Sequence, residues 1–503
     1  MTPPRTLPEL LRASASGHDV AVIVPEVDAR VTYESLWAQV GGVADALASA
    51  GIRRGERVAI ALPNGLPTVV SFLGASTVGT AAPLNPGYRY EEFCFYLEDT
   101  AARLLLCPRE GADEARRAAA TRGIPVLEVD ADERGVVRIQ GAPSGASASD
   151  PAPDDVALIL HTSGSTGRPK RVPIPHANLA VSAGNTARTY ALSAADVSLC
   201  VMPLFHVHGL VASTLAAFLA GGTVAVPARF NPLSFWRLVR DHRVTWYSAV
   251  PTIHQLLLSR AADGRRPAGA EHLRFIRSCS AALAPEVMEA MERVFGVPVL
   301  EAYGMTEAAH QMASNPLPPG VRKPGTVGRG TGVQLGIMGA SGAPVPPGQL
   351  GEVVIKGPNV VRGYENNPEA NASSFVDGWF RTGDQGVLDA DGYLRLTGRI
   401  KELINRGGEK FSPREVDEVL LSHPAVAEAV AFGVPHPTWG EEVAAAVVLR
   451  EPQSESALLA HCRERLADFK CPKKIHVVDA IPRTATGKVQ RRAVAEALAG
   501  APR

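Results

Sequence analysis

Residues 162–170 read TSGSTGRPK and come directly after an apolar run, VALIL, at 156–160. Four hydroxyl residues and two glycines in nine positions can neither extend a buried strand nor pack a helix face. Such a segment can bring bare backbone N–H groups, Ser and Thr hydroxyls and the Lys170 ammonium around an anion at the end of a strand. The spacing is not GxxxxGK[ST], so the usual P-loop is excluded. Taken by itself, a Gly/Ser surface turn has the same composition. A strand ending in a loop of this kind points to an α/β architecture, and the rest of the chain agrees. Apolar runs at 20–24 and 58–62 alternate with helical patterns such as 33–50.

A chain of 503 residues exceeds one domain and is expected to divide into at least two lobes. The stretch 141–153 is rich in Gly, Ala, Ser and Pro and reads as a surface connection inside the first lobe. The better boundary lies at 398–401. Before it, 378–396 is rich in Gly and Asp, which suits turns between short strands. After it, a helix is expected from Pro413, with Ser412 as N-cap and Glu415 completing a capping box. Strands at 427–434 and 443–449 and a helix at 454–466 follow. The expected fold class is α/β. A large N-terminal lobe, 1–398, carries mixed and parallel sheets flanked by helices, with a small mobile α+β domain at 399–503.

Lys plus Arg and Asp plus Glu both count 51. This zero net charge argues against a general nucleic-acid binder. Six cysteines without a CxxC pair suit thiols in a reducing compartment better than disulfides or zinc. The first nineteen residues lack the apolar core of a secretory signal. The charge-free stretch 207–228 is broken by Gly221-Gly222, so it reads as a buried helix and a strand and not as a membrane span. The C-terminal GAPR is no peroxisomal address. A cytoplasmic protein without membrane or nucleic-acid partners is expected.

Four further segments accompany the loop: EAYGMTE at 301–307, RTGD at 381–384, GRIKELINRGGEK at 398–410 and RTATGK at 483–488. Together, and in this order, they resemble the adenylate-forming (acyl-CoA synthetase) superfamily, and the resemblance spans essentially the whole chain. It implies an ATP- and Mg²⁺-dependent enzyme that converts a carboxylate to its acyl-adenylate and passes the acyl group to coenzyme A. By similarity, Thr162, Ser163, Gly164, Ser165, Thr166, Gly167 and Lys170 cover the ATP phosphates. Ala281, Glu301, Ala302 and Tyr303 line the nucleotide, with Tyr303 stacked on adenine. Thr306 binds the α-phosphate and Glu307 holds Mg²⁺. Asp384 takes the ribose hydroxyls and Arg399 a second ribose or phosphate contact. Lys488, projected by Thr486-Gly487, carries adenylation. Lys401 is the hinge, and Gly407 and Gly408 line the pantetheine tunnel. Without this context, Tyr303 reads as a packed aromatic, Asp384 as an Asx-turn residue, Gly407-Gly408 as a hairpin turn and Lys488 as a solvated residue. From Lys470 onward there are eight Lys/Arg against two acids, a run that is surface or a contact for CoA phosphates. Arg171 departs from the family's usual Gly and either shifts the loop or adds a phosphate contact.

PLFHVHGL at 203–210, TWYSAVPTIHQ at 245–255, RSCSAALAP at 277–285 and the segment after Glu307 are most similar to the oxalate-activating branch of the family. His206, Ser280 and His310 fall in segments that flank the acyl pocket. Two imidazoles and a hydroxyl suit the second carboxylate of a very small diacid, which an apolar pocket would reject. His206 reads equally well as the family's gate residue. The alternatives are a medium-chain fatty acid or aryl acid CoA ligase, or an enzyme that loads a carrier protein.

Overall fold

The computed structural model describes residues 5–13, 16–162, 169–261, 264–484 and 489–499. Two large sheets form most of the chain. One has seven strands, and in space the order is Val137–Gln140, Val126–Ala131, Ala102–Cys107, Arg57–Ile60, Thr80–Pro83, Val156–Thr162 and Lys170–Pro175. Its five inner strands are parallel, and each outer strand runs antiparallel to its neighbour. Most of the inner strands are apolar and buried on both faces, as in Val58–Ile60 and Leu104–Cys107, whereas Val126–Ala131 alternates between buried and half-exposed residues. Helix Leu66–Val78, with eleven buried residues, lies in one continuous core with side chains from both large sheets.

The second sheet has nine strands. Its centre is parallel and runs through Val20–Val24, Thr223–Ala225, Val197–Leu199, Trp246–Ala249, Phe275–Ser278 and Val299–Met305. In parallel sheets, ligands bind beyond the carboxyl ends of the strands. Here those ends lead into residues 200–208, 279–281 and 306–310. In the first sheet the carboxyl end of Val156–Thr162 leads into 163–168. Within the second sheet the segments at 200–208, 279–281 and 306–310 therefore share one edge.

The expected buried helix and strand at 207–228 are present in altered form. His208–Leu215 is a π-helix that continues as the α-helix Ala216–Leu219, followed by Thr223–Ala225. Among the described residues no helix is long and apolar enough to cross a membrane.

Residues 378–396 differ from the expectation of short strands between turns. They hold one ten-residue strand, Trp379–Leu388, paired with Leu394–Arg399 in a five-stranded sheet. The turn lies at 389–393, where the Asp389 carboxylate accepts the amides of Asp391 and Tyr393. The glycines permit local irregularity: the register shifts between Gln385 and Gly386. A Cβ at Gly386 would lie 2.8 Å from the Arg395 carbonyl.

The last part of the chain forms its own sheet, ordered Glu409–Phe411, Ile404–Arg406, Gly440–Leu449 and Val426–His436, with Lys474–Val477 on Gly440–Leu449. Helices Pro413–Leu421 and Glu455–Arg463 cover a separate core of Ile404, Phe411, Val416, Leu420, Val443 and Leu458. Ser412 caps the first helix, accepting from the Arg414 amide at 3.2 Å. The expected capping box does not form: Ser412 Oγ accepts the Arg414 amide and not that of Glu415, and the Glu415 carboxylate pairs with Lys470 at 2.5 Å. Other described residues of the basic run are paired in the same way. Lys474 pairs with Glu455, Arg483 with Glu428, Arg491 with Asp417 and Glu402, and Arg492 with Glu496.

Candidate active site

Strand Val299–Met305 ends in the one-turn 3₁₀ helix Thr306–Ala308, then reverses through Ala309 and His310 at φ 51° and 121°. Two successive non-glycine residues at positive φ are costly and mark a turn imposed by its surroundings. Gly304 makes the turn possible, since a Cβ there would lie 2.3 Å from the His310 carbonyl oxygen. The Asn359 side chain clamps the turn through Ala308 O at 2.8 Å, and the Val361 amide donates to Glu307 O at 2.8 Å.

The turn buries Glu307. Tyr364 Oη donates to its Oε1 at 2.8 Å, and the Lys170 ammonium sits 4.4 Å from the centre of the Tyr364 ring. Burial raises the proton affinity of the Glu307 carboxyl, opposed by its backbone amide, Tyr364, Arg399 and Lys170. Burial likewise lowers that of Lys170; Glu307 opposes this, and the charge of Lys401 adds to it. Lys170, Glu307, Arg399 and Lys401 therefore share one electrostatic neighbourhood. Among the described residues no cluster of three metal-ligating side chains occurs. A buried carboxylate of this kind fits Mg²⁺, which is bound by one or two carboxylates together with nucleotide phosphates.

Asp384 lies opposite Arg399 across two antiparallel strands. One of its oxygens accepts from Tyr303 Oη, and the other lies 3.0 Å from Arg399 Nε. Both oxygens assigned to ribose hydroxyls are thus already engaged, and a ribose has to share or displace these partners. Burial followed by the Asp384 charge keeps the Tyr303 phenol firmly protonated. Arg381 of the same motif points elsewhere, to Glu352 at 2.5 Å.

Glu301 and Ala302 are buried. The Glu301 carboxyl accepts from the Leu283 amide at 3.0 Å, tying down the loop that carries Ser280 and the exposed Ala281. Burial pushes its pKa up to about 7. Thr162 ends its strand paired with Lys170. Ser163, Gly164, Ser165, Thr166 and Gly167 lie outside the described residues, as do Thr486, Gly487 and Lys488. Arg483 and Val489 form an antiparallel bridge at the base of the latter segment. Lys401 lies in the 3₁₀ turn Ile400–Glu402, directly after Arg399. Gly407 and Gly408, at φ 62° and 96°, form the two-residue turn of the hairpin Ile404–Arg406/Glu409–Phe411. A Cβ at Gly407 would lie 2.9 Å from the Trp439 ring.

Arg171 is engaged by carboxylates, and the loop it was expected to shift, 163–168, lies outside the described residues. Its side chain faces away from Lys170, with Nε 3.4 Å from Asp99 and Nη1 3.4 Å from Glu365. Glu365 also binds Arg57, and Asp99 also binds His161 at 3.0 Å. The unusual cation fastens the strand behind the loop.

The acyl-pocket residues are only partly brought together. Ser280 and His310 lie on either side of His208, not His206. His208 Nδ1 is 3.0 Å from Ser280 Oγ, Nε2 is 2.6 Å from Ser248 Oγ, and its ring centre is 5.3 Å from that of His310. His206 is half-buried and accepts the His208 amide at 3.2 Å. It lies at a separate pocket edge with Phe205, Tyr88, Tyr96 and His161. Behind His208, the fully buried Arg277 donates to Ser248 Oγ at 2.8 Å, Tyr190 Oη at 2.9 Å and Gln311 Oε1 at 3.1 Å. Sequence reasoning missed His208, Ser248, Arg277 and Tyr364. The available signals were the His-Val-His alternation and an arginine directly after the apolar pair Phe275-Ile276 in the strand Phe275–Ser278.

Residues 11–365 match the family model of AMP-binding enzymes, and 415–488 match that of the AMP-binding enzyme C-terminal domain. The chain belongs to this family. Oxalate–CoA ligase of Arabidopsis thaliana is 48% identical over 90% of this chain and 90% of its own length. Sulfoacetate–CoA ligase of Cupriavidus necator is 40% identical over 93% of both. ATP-bound MatB from Rhodopseudomonas palustris superposes with a TM-score of 0.90 at 32% identity, over 98% of each chain. As a member of the AMP-binding family, the chain is an acid–CoA ligase of α/β fold.

Proposed function

We propose that this enzyme activates oxalate or another small acid with a second anionic group, using ATP and Mg²⁺, and transfers the acyl group to coenzyme A. The observation that carries the substrate reading is the polar acyl side of the site. Ser280, His208 and His310 converge where a fatty or aryl acid would need an apolar wall. Relatives named for oxalate and sulfoacetate, both small acids with a second charged group, agree with it.

In the first half-reaction, an oxygen of the substrate carboxylate attacks the α-phosphorus and pyrophosphate leaves. Lys170 neutralises the departing phosphates, and Thr306 donates to the α-phosphate. Glu307 would hold Mg²⁺, which when bound would offset charge on the leaving group. Asp384 and Arg399 hold the ribose, and Tyr303 the adenine side. Lys488 bridges the carboxylate and α-phosphate and stabilises the charge that develops between them. In the second, the CoA thiol attacks the acyl carbonyl and AMP leaves. A small domain, 399–503, turns about Lys401 and brings the Gly407-Gly408 hairpin to the pantetheine arm. Free CoA, and not a carrier protein, is the acceptor, and the reaction takes place in the cytoplasm.

Lys488→Ala is expected to abolish pyrophosphate release while sparing thioester formation from a supplied acyl-adenylate. Equal loss of both steps would overturn the division of labour between the two faces. For the substrate, CoA-dependent AMP release is compared across oxalate, malonate, sulfoacetate, octanoate and coumarate. A preference for either of the last two would overturn the small-acid reading.

A further inference from the structure

Arg277 is fully buried, and among the described residues no carboxylate lies within ion-pairing distance of it. Its donors end on the Tyr190 hydroxyl, the Gln311 carbonyl, the Ser248 hydroxyl and, at 3.4 Å, His208 Nε2, with the Cys279 thiol as a further neighbour; none of these is a carboxylate. A buried cation without a countercharge is strongly disfavoured, so its retention here calls for an anion that arrives from outside.

The hydrogen bonds around it have a fixed sense. A guanidinium can only donate. Arg277 Nη1 therefore donates to Ser248 Oγ at 2.8 Å and also faces His208 Nε2. A proton on Nε2 would point at the cation, so Nε2 is the acceptor and takes the Ser248 hydroxyl hydrogen at 2.6 Å. The ring proton is then on Nδ1, which donates to Ser280 Oγ at 3.0 Å. The Ser280 hydroxyl, having accepted, has its own hydrogen to give. Of this chain, Arg277, Ser248 and His208 are wholly buried, whereas Ser280 is partly exposed, at φ 73° beyond the end of its strand. The sequence of bonds thus runs from a buried positive charge to an accessible donor. Register supports it, because Ser248 and Arg277 are direct partners across parallel strands.

We propose that Arg277, Ser248, His208 and Ser280 form a one-way donor relay that presents the polarised Ser280 hydroxyl to the non-reacting anionic group of the substrate, a carboxylate or sulfonate. Arg277 acts as a positioning residue that makes the enzyme prefer dianionic acids over monoanionic ones of the same shape. This inference rests on the small-acid reading of the site.

The test uses pairs that differ by one charge and little else: oxalate and its monoamide oxamate, or malonate and malonamate. AMP release is measured for the wild type, Arg277→Met, Arg277→Lys and Ser248→Ala, and kcat/KM for each dianion is divided by that for its monoamide. Arg277→Met is expected to lower this ratio by about a hundredfold and Ser248→Ala by about tenfold, the scale of charged and single hydrogen bonds. The change appears in KM for the acid while KM for ATP stays constant, and Arg277→Lys restores most of the ratio. A wild-type ratio in soluble, ATP-binding Arg277→Met and Ser248→Ala would overturn the relay. If Arg277→Met does not fold, Ser248→Ala decides alone. A wild type inactive on oxalate, malonate and sulfoacetate would sink the small-acid reading, and the relay with it.

Discussion

Glu301→Gln should make the protein more stable at neutral pH than at acid pH relative to the wild type. The Glu301 side chain is buried, and among the described residues only the Leu283 amide donates a hydrogen bond to it. Burial lifts its pKa from 4.5 to about 7. Below pH 4.5 both the folded and unfolded states carry the proton, and the residue contributes no pH dependence. As pH rises from 4.5 to 7 the unfolded chain ionises first, so stability is lost through this interval and stays low above it. At roughly 1.4 kcal/mol per pH unit, the interval corresponds to ~3 kcal/mol. Glutamine keeps an acceptor for the Leu283 amide and has no proton to lose. Other titrating groups are common to both proteins and cancel in the difference. Thermal unfolding of both at pH 5, 6, 7 and 8 is therefore expected to show Tm of the variant rising over that of the wild type by a few degrees, mostly between pH 5 and 7. A difference that is flat across this range, or that grows toward acid, would refute the reasoning.

Two other changes test the nucleotide side. Tyr364→Phe removes the hydroxyl that donates to Glu307, worth about 1 kcal/mol. The Mg²⁺ concentration needed for half-maximal pyrophosphate release should rise several-fold, with KM for the acid unchanged. Gly304→Ala places a Cβ 2.3 Å from the His310 carbonyl. It should cost about 1–3 kcal/mol and remove adenylation, seen as a lowered Tm together with loss of pyrophosphate release.

The strand-and-helix rhythm of the first sheets and the elements of the last sheet were legible because apolar periodicity reports burial directly. The helix at Pro413 and the strands Val426–His436 and Gly440–Leu449 lie where the pattern put them, with ends displaced by a few residues. The glycine-rich stretch 378–396 misled because glycine marks both turns and bulges. Only the pairing with Gly351–Lys356 and Leu394–Arg399 reveals one long strand. In the site, motif residues on a single segment were legible. Partnerships between distant segments were not: Tyr364 with Glu307, or Arg277 with Ser248 and His208, depend on strand register and on a helix entry that no local pattern encodes. His206 drew attention over His208 for the same reason, since two histidines one residue apart differ only in which way the backbone turns them.

That turn is set by the π-helix His208–Leu215. Its i→i+5 bonds advance each residue by less than the ~100° of an α-helix. At one end it delivers an imidazole to the strands, and at the other it sets Leu215, and through the α-helix that continues it Phe218, into the hydrophobic core. In a regular α-helix of the same length these two orientations would fall out of phase. The segment therefore acts as a gauge of chain length: wound as an α-helix at its present length it would swing the histidine off its serines, whereas an α-helix one residue shorter between 209 and 215 would hold both ends in phase.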